Sequence, residues 1–205
     1  MLFRSRRGRA APTVWDRDGG LVCIRKTRKR QELFGWIGHN KKLGGRKEQI
    51  SVSLWNDPDR WAALCSGEMC PICRRREPLD LVATLEASWL TMGEAAAVRG
   101  YVCLVSQIHA VDLHDLEEGA ACAFMRDARR VSRAVASVTG AVKMNYEIHG
   151  NSIPHLHMHL FPRYQGDRFE GRPIDPRAVV QPVYDAGEFE KLRSAVLAAL
   201  DSDIA

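Results

Sequence analysis

Gly150-Asn151-Ser152-Ile153-Pro154-His155-Leu156-His157-Met158-His159-Leu160-Phe161-Pro162-Arg163-Tyr164 decides how this chain is read. From His155 to Leu160 polar and apolar residues alternate strictly, and a period of two marks a half-buried strand, not a helix. Leu156, Met158 and Leu160 should face a core, while the three imidazoles share the other face and look into a cleft or solvent. Three of the seven histidines on one strand face are a costly way to build mere support, and they point to a functional site. A cupin-like metal site is the rival reading. Such sites place a carboxylate beside His-x-His, and none follows here before Asp167.

A neutral imidazole is nucleophilic near pH 7, and one ring nitrogen can attack while an acceptor holds the other and fixes the tautomer. Attack on phosphorus needs donors already in place for the charge that develops on oxygen. Asn151, Ser152 and the flanking histidines supply them within a few residues.

His155-Leu156-His157-Met158-His159-Leu160-Phe161 resembles the signature of the histidine triad (HIT) family, in which the middle histidine attacks the α-phosphorus of a nucleotide. The resemblance implies that His157 is the nucleophile, with His159 and Ser152 assisting the leaving group. Ser152 lies five residues before His157, where the family has a serine that contacts phosphate and leaving group, and Asn151 stands where many members have glutamine or asparagine. The run from Asn145 to Asn151 resembles the stretch before the triad in bacterial members, which nominates Asn145 for the substrate phosphate. Pro162-Arg163 matches the family's closing Pro-Arg, with Arg163 as an aid to phosphate electrostatics.

Cys70-Pro71-Ile72-Cys73 taken alone means a redox pair, half a zinc site or coincidence. Many bacterial HIT proteins use such a pair for zinc, together with a histidine after the third strand and the first histidine of the triad. The segment Gly100–His109 matches the family's stretch in spacing, so the resemblance implies a closed structural zinc site of Cys70, Cys73, His109 and His155. Cys65 is close enough in sequence to be an alternative ligand. Cys23, Cys65, Cys103 and Cys122 otherwise read as small buried or semi-buried residues.

The rest of the chain reads around this strand. In order after Cys73 come strands at Leu81–Glu86, Ser88–Met92 and Tyr101–Ser106, a helix at Ala120–Val138, and strands at Ala141–Gly150 and the triad. Phe124, Ala128, Val131, Val135 and Val138 recur at helical spacing, and Arg126, Arg129, Arg130 and Arg133 fall on a solvated face. Tyr184–Leu200 is a C-terminal helix with Phe189, Leu192, Val196 and Leu200 on one stripe. Trp61, Leu64 and Cys65 fit a short helix ending at Gly67. Val22, Ile24, Ile50, Val52 and Leu54 suggest short strands. Glu86 or Ser88 stands near the place where family members have the aspartate that holds the ribose, and a Glu86 carboxylate could serve the same diol; His149 ends its strand and could reach the active site, His114 faces solvent, and His39 is uninformative.

The expected fold is therefore α+β, a HIT fold with a mainly antiparallel five-stranded sheet, one main helix and a C-terminal helix. Residues 57–205 form the HIT domain with its zinc knuckle at 70–73, and residues 1–56 a basic, partly flexible appendage. The first 50 residues hold 14 Lys and Arg against 4 Asp and Glu, a balance of +10 in a chain of net charge +5. Such an arm suits nucleic acid or polyphosphate. No apolar run is long enough to span a bilayer, and the polar start does not resemble a secretory signal, so a cytoplasmic protein without disulfides is expected.

By resemblance the activity is hydrolysis at the α-phosphate of a purine nucleotide conjugate, a dinucleoside polyphosphate or a nucleoside phosphoramidate, through a covalent nucleotidyl-histidine. Family members of this size pair as homodimers. Two alternatives stay open: transfer to another acceptor, as in phosphorylase and uridylyltransferase relatives or in aprataxin-like removal of adenylate from nucleic-acid ends, and a non-catalytic nucleotide-binding regulatory module.

Overall fold

The computed structural model describes residues 13–15, 21–23, 54–175 and 182–202. Strands β1 (Thr13–Trp15) and β2 (Leu21–Cys23) pair antiparallel. Val22 is thus in a strand, whereas the strand expectations at Ile24, Ile50 and Val52 lie outside the described residues. Leu54 is a correction: it opens a 3-10 turn, Leu54–Asn56, because the Asp57 amide donates to its carbonyl and Asp57-Pro58 then starts a helix.

That helix, α1 (Pro58–Cys65), has Pro58 in its first turn and Asp57 as N-cap, whose carboxylate accepts from the Arg60 amide. A single turn, α2 (Pro71–Arg75), follows and carries Cys73. Five strands then make one antiparallel sheet: β3 (Leu81–Thr84), β4 (Ser88–Thr91), β5 (Val102–Ser106), β6 (Lys143–Ile148) and β7 (His157–Arg163), in the order β3-β4-β5-β7-β6. Helix α3 (Glu118–Thr139) joins β5 to the edge strand β6, and α4 (Glu188–Ser202) closes the described chain.

The order of elements matches the sequence expectation, with ends shifted by a few residues. β7 starts at His157, two residues late, and runs on to Arg163. Along α3, Phe124, Ala128, Val131 and Val135 are buried at a spacing of three and four residues, and each large side chain so placed contributes about 1.5–3 kcal/mol. Phe189, Leu192, Val196 and Leu200 of α4 are buried likewise, and the Arg130 guanidinium donates to the Leu200 carbonyl. Asp127 is buried on α3, where it accepts from the Ser88 hydroxyl and the Glu86 and Ala87 amides, tying the helix to the β3–β4 turn.

One expectation about exposure needs correction. Cys122 is exposed, because it lies on the outer side of α3. The apolar side of β6 is only partly covered: Met144 is buried, but Tyr146 and Ile148 are exposed, since no described strand lies beyond this edge.

Candidate functional site

Four side chains from three segments converge where α2 meets the start of β7. The His155 Nδ1 lies 3.4 Å from Cys70 Sγ and 3.6 Å from Cys73 Sγ, and the His109 Nδ1 is 3.3 Å from Cys73 Sγ. The two Nδ1 atoms stand 3.1 Å apart. Each histidine turns its Nε2 to a carbonyl oxygen at 2.8 Å, His109 to Cys65 and His155 to Ser106. Carbonyls accept only, so both Nε2 atoms carry the proton and both Nδ1 lone pairs face the thiols. Burial holds His155 at about 4, well below its ordinary range and therefore neutral.

Zinc bonds of the usual length predict tetrahedron edges of about 3.3 Å between nitrogens and about 3.6 Å between nitrogen and sulfur. The four donors match those edges, and all lie within 4.8 Å of one another. Burial and the adjoining Cys70 push the Cys73 thiol up to about 11, so two thiolates here need a cation between them. The set fits a closed structural zinc site. Cys65 enters it through its carbonyl, not its sulfur, which settles the alternative ligand.

Gly67 makes the convergence possible. Its φ of +85° is one that side chains resist, and a Cβ there would meet the His109 ring at 3.3 Å.

Two residues after the metal ligand, the His157 Nδ1 lies 2.7 Å from the His155 carbonyl. Here a carbonyl fixes the proton on Nδ1, the opposite tautomer to that of His109 and His155, which leaves the Nε2 lone pair for chemistry. Burial lowers the basicity of His157 and of His159, so both rings are neutral near pH 7. Their rings meet edge to face at 4.8 Å between centroids. Behind them the Tyr101 hydroxyl and His159 Nδ1 are 2.8 Å apart, and Tyr101 stacks on Phe161. The triad face is thus less open than the alternation implied: His155 and His159 are each 1% exposed, because zinc ligands cover one and Tyr101 backs the other.

A HIT domain model matches residues 74–166. Among solved structures, a histidine triad protein from Bradyrhizobium japonicum is 31% identical, with a TM-score of 0.52, over 59% of this chain and 91% of its own. The chain belongs to the histidine triad family. Two further histidine triad proteins share the fold: one from Marinobacter aquaeolei at 20% identity and TM-score 0.52 (60% of this chain, 90% of its own), and one from Sinorhizobium meliloti at 20% and 0.52 (58% and 87%). No curated protein matches the chain. With the family comes a nucleotide-binding fold of the hydrolase and transferase type.

On this histidine triad scaffold the other expected site residues fall unevenly. Ser152 and Asn151 lie in the turn between β6 and β7, Ser152 partly buried and Asn151 exposed. Asn145 is on the triad face of β6 but opposite Phe161, two rungs along from His157. Arg163 falls away from the triad histidines. It sits at the far end of β7, roughly 20 Å along the strand from His157, and its guanidinium is spent on Asp167 at 2.9 Å and on the Phe169 and Arg172 carbonyls. Glu86 is held by Arg126 at 2.6 Å.

One residue near the triad, Tyr101, escaped the sequence reading. Tyr101 gave a signal, since a tyrosine in an apolar run needs a partner for its hydroxyl. His149, a weaker candidate able to reach the site, has its ring 5.7 Å from that of His159.

Proposed function

We propose that this histidine triad protein hydrolyses a purine nucleotide conjugate at the α-phosphate, a dinucleoside polyphosphate or a nucleoside phosphoramidate, and releases the mononucleotide. The observation that carries the reading is the 2.7 Å contact of His157 Nδ1 with the His155 carbonyl. It fixes the tautomer whose Nε2 attacks.

In the first step the Nε2–P bond forms as the bond to the leaving group breaks, with His159 and Ser152 assisting departure and Asn145 and Asn151 holding phosphate oxygens. In the second, water attacks phosphorus and the electron pair of the P–N bond returns to His157. Zinc held by Cys70, Cys73, His109 and His155 supplies stability alone, since its four positions are filled by protein. It anchors the carbonyl that orients His157.

We assign residues 57–205 as the catalytic domain and 1–56 as a basic appendage. The five described cysteines are free, in keeping with a reducing compartment such as the cytoplasm. No helix among the described residues is long and apolar enough to cross a membrane. The open edge of β6 with exposed Tyr146 and Ile148 supports a homodimer. The +10 balance of the first 50 residues favours a second reading, removal of adenylate from nucleic-acid ends.

Chromatography of diadenosine polyphosphates and adenosine phosphoramidate after incubation with the protein tests the proposal. Release of AMP that vanishes in His157→Ala supports it. Bound nucleotide without turnover would instead indicate a regulatory binding module, and turnover of adenylated DNA ends alone would select the second reading.

A further inference from the structure

His149 lies just beyond β6, and its Nε2 is 3.1 Å from a Glu147 carboxylate oxygen. Glu147 is the register partner of His159, on the side of β6 that the triad occupies. The His149 ring is 5.7 Å from that of His159, which is itself 4.8 Å from His157. A line of side chains therefore runs Glu147, His149, His159, His157.

The ends of that line differ in access to water. His159 is 1% exposed, whereas the His149 side chain is 46% exposed and Glu147 22%. A buried imidazole has no direct exchange with solvent, while a half-exposed one reloads its proton between turnovers. A carboxylate beside an imidazole orients the ring. The groups facing His149 are Glu147, His159 and His157, and Glu147 is the one hydrogen-bonded to it.

We infer that Glu147 and His149 form a general acid–base pair for the proposed reaction, a role that rests on the nucleotidyl-His157 reading above. In the first step protonated His149 gives its proton to the departing atom, and the leaving group's bonding pair to phosphorus becomes the lone pair that accepts it. In the second, neutral His149 takes a proton from water as the water oxygen bonds to phosphorus and the P–N pair returns to His157 Nε2. The pair ends each cycle protonated.

The test is pre-steady-state release of two leaving groups from adenosine 5′-phosphoryl compounds, an alkylamine, which must be protonated to leave, and p-nitrophenolate, which need not be. His149→Gln keeps a hydrogen bond to Glu147 but has no proton acidic enough to give to a leaving group. Amine release should slow by about 10²-fold while the p-nitrophenolate burst stays within about threefold. Glu147→Gln should give a smaller loss, again confined to the amine.

Equal losses on both substrates would mean that His149 only positions the site, and no loss on either would mean that it is not used; both overturn the inference. Adduct on His157 with the p-nitrophenyl substrate tests the parent reading separately. Its absence in the unsubstituted protein would remove that reading, whatever His149 does.

Discussion

The Nδ1 atoms of His109 and His155 face each other at 3.1 Å, each with its Nε2 proton on a carbonyl. Two lone pairs at that distance repel unless a cation lies between them, so the pair defines the metal site and ties β7 to the segment after β5. The same bond network places the His155 carbonyl on His157.

Cys70→Ser removes one of four donors. Zinc content should fall from about one per chain toward zero, and the loss of metal-linked folding energy should lower Tm by about 10 °C or more. Metal analysis and thermal unfolding check both. Unchanged zinc would break the ligand assignment.

Gly67→Ala should weaken zinc affinity about tenfold and cost about 1–2 kcal/mol, because its new Cβ crowds the His109 ring. Gly140→Ala is the control. It has the same kind of φ, +69°, with open space around it, so it should lose similar stability with zinc affinity unchanged. Competition with a chelator measures the difference.

Asp167 is held at about 2 by the Arg163 guanidinium. A carboxyl depressed below its ordinary value of about 3.9 stabilises the fold above that pH, and the contribution fades as pH falls toward 2; here it amounts to about 2 kcal/mol. Asp167→Asn should therefore lower urea stability clearly at pH 7 and by less than half as much at pH 2.5. An equal loss at both would show that the charge is not the cause.

Tyr101→Phe removes the hydroxyl 2.8 Å from His159 Nδ1 and leaves a buried polar atom without that partner, at a cost of about 1–3 kcal/mol. Turnover should fall about tenfold as the His159 ring loses its anchor, with substrate affinity little changed. Steady-state kinetics would show this as a loss in kcat with KM preserved.

The triad strand was legible because it is written in a short-range pattern, strict alternation from His155 to Leu160, whereas Cys70-Pro71-Ile72-Cys73 alone left a redox pair, half a zinc site or coincidence open, and its nitrogen partners came only from the resemblance to the family. The helix from Glu118 was legible through its buried stripe. Arg163 was not, because Pro-Arg at a strand end says nothing about whether a carboxylate four residues on will capture the guanidinium, as Asp167 does. His149 was legible only as a weak candidate, for a related reason. Its place beside His159 depends on the β6–β7 register and the intervening turn, which no local pattern encodes. The exposure of Tyr146 and Ile148 likewise follows from β6 being an edge, a property of the strand order.

The most direct test is intact mass and peptide mapping of the protein mixed with an adenosine phosphoramidate and quenched at alkaline pH within one turnover, which preserves an acid-labile P–N bond. The account predicts an added adenylate on the peptide carrying His157, absent in His157→Ala. AMP release with no adduct at any time, or an adduct that persists in His157→Ala, would contradict it.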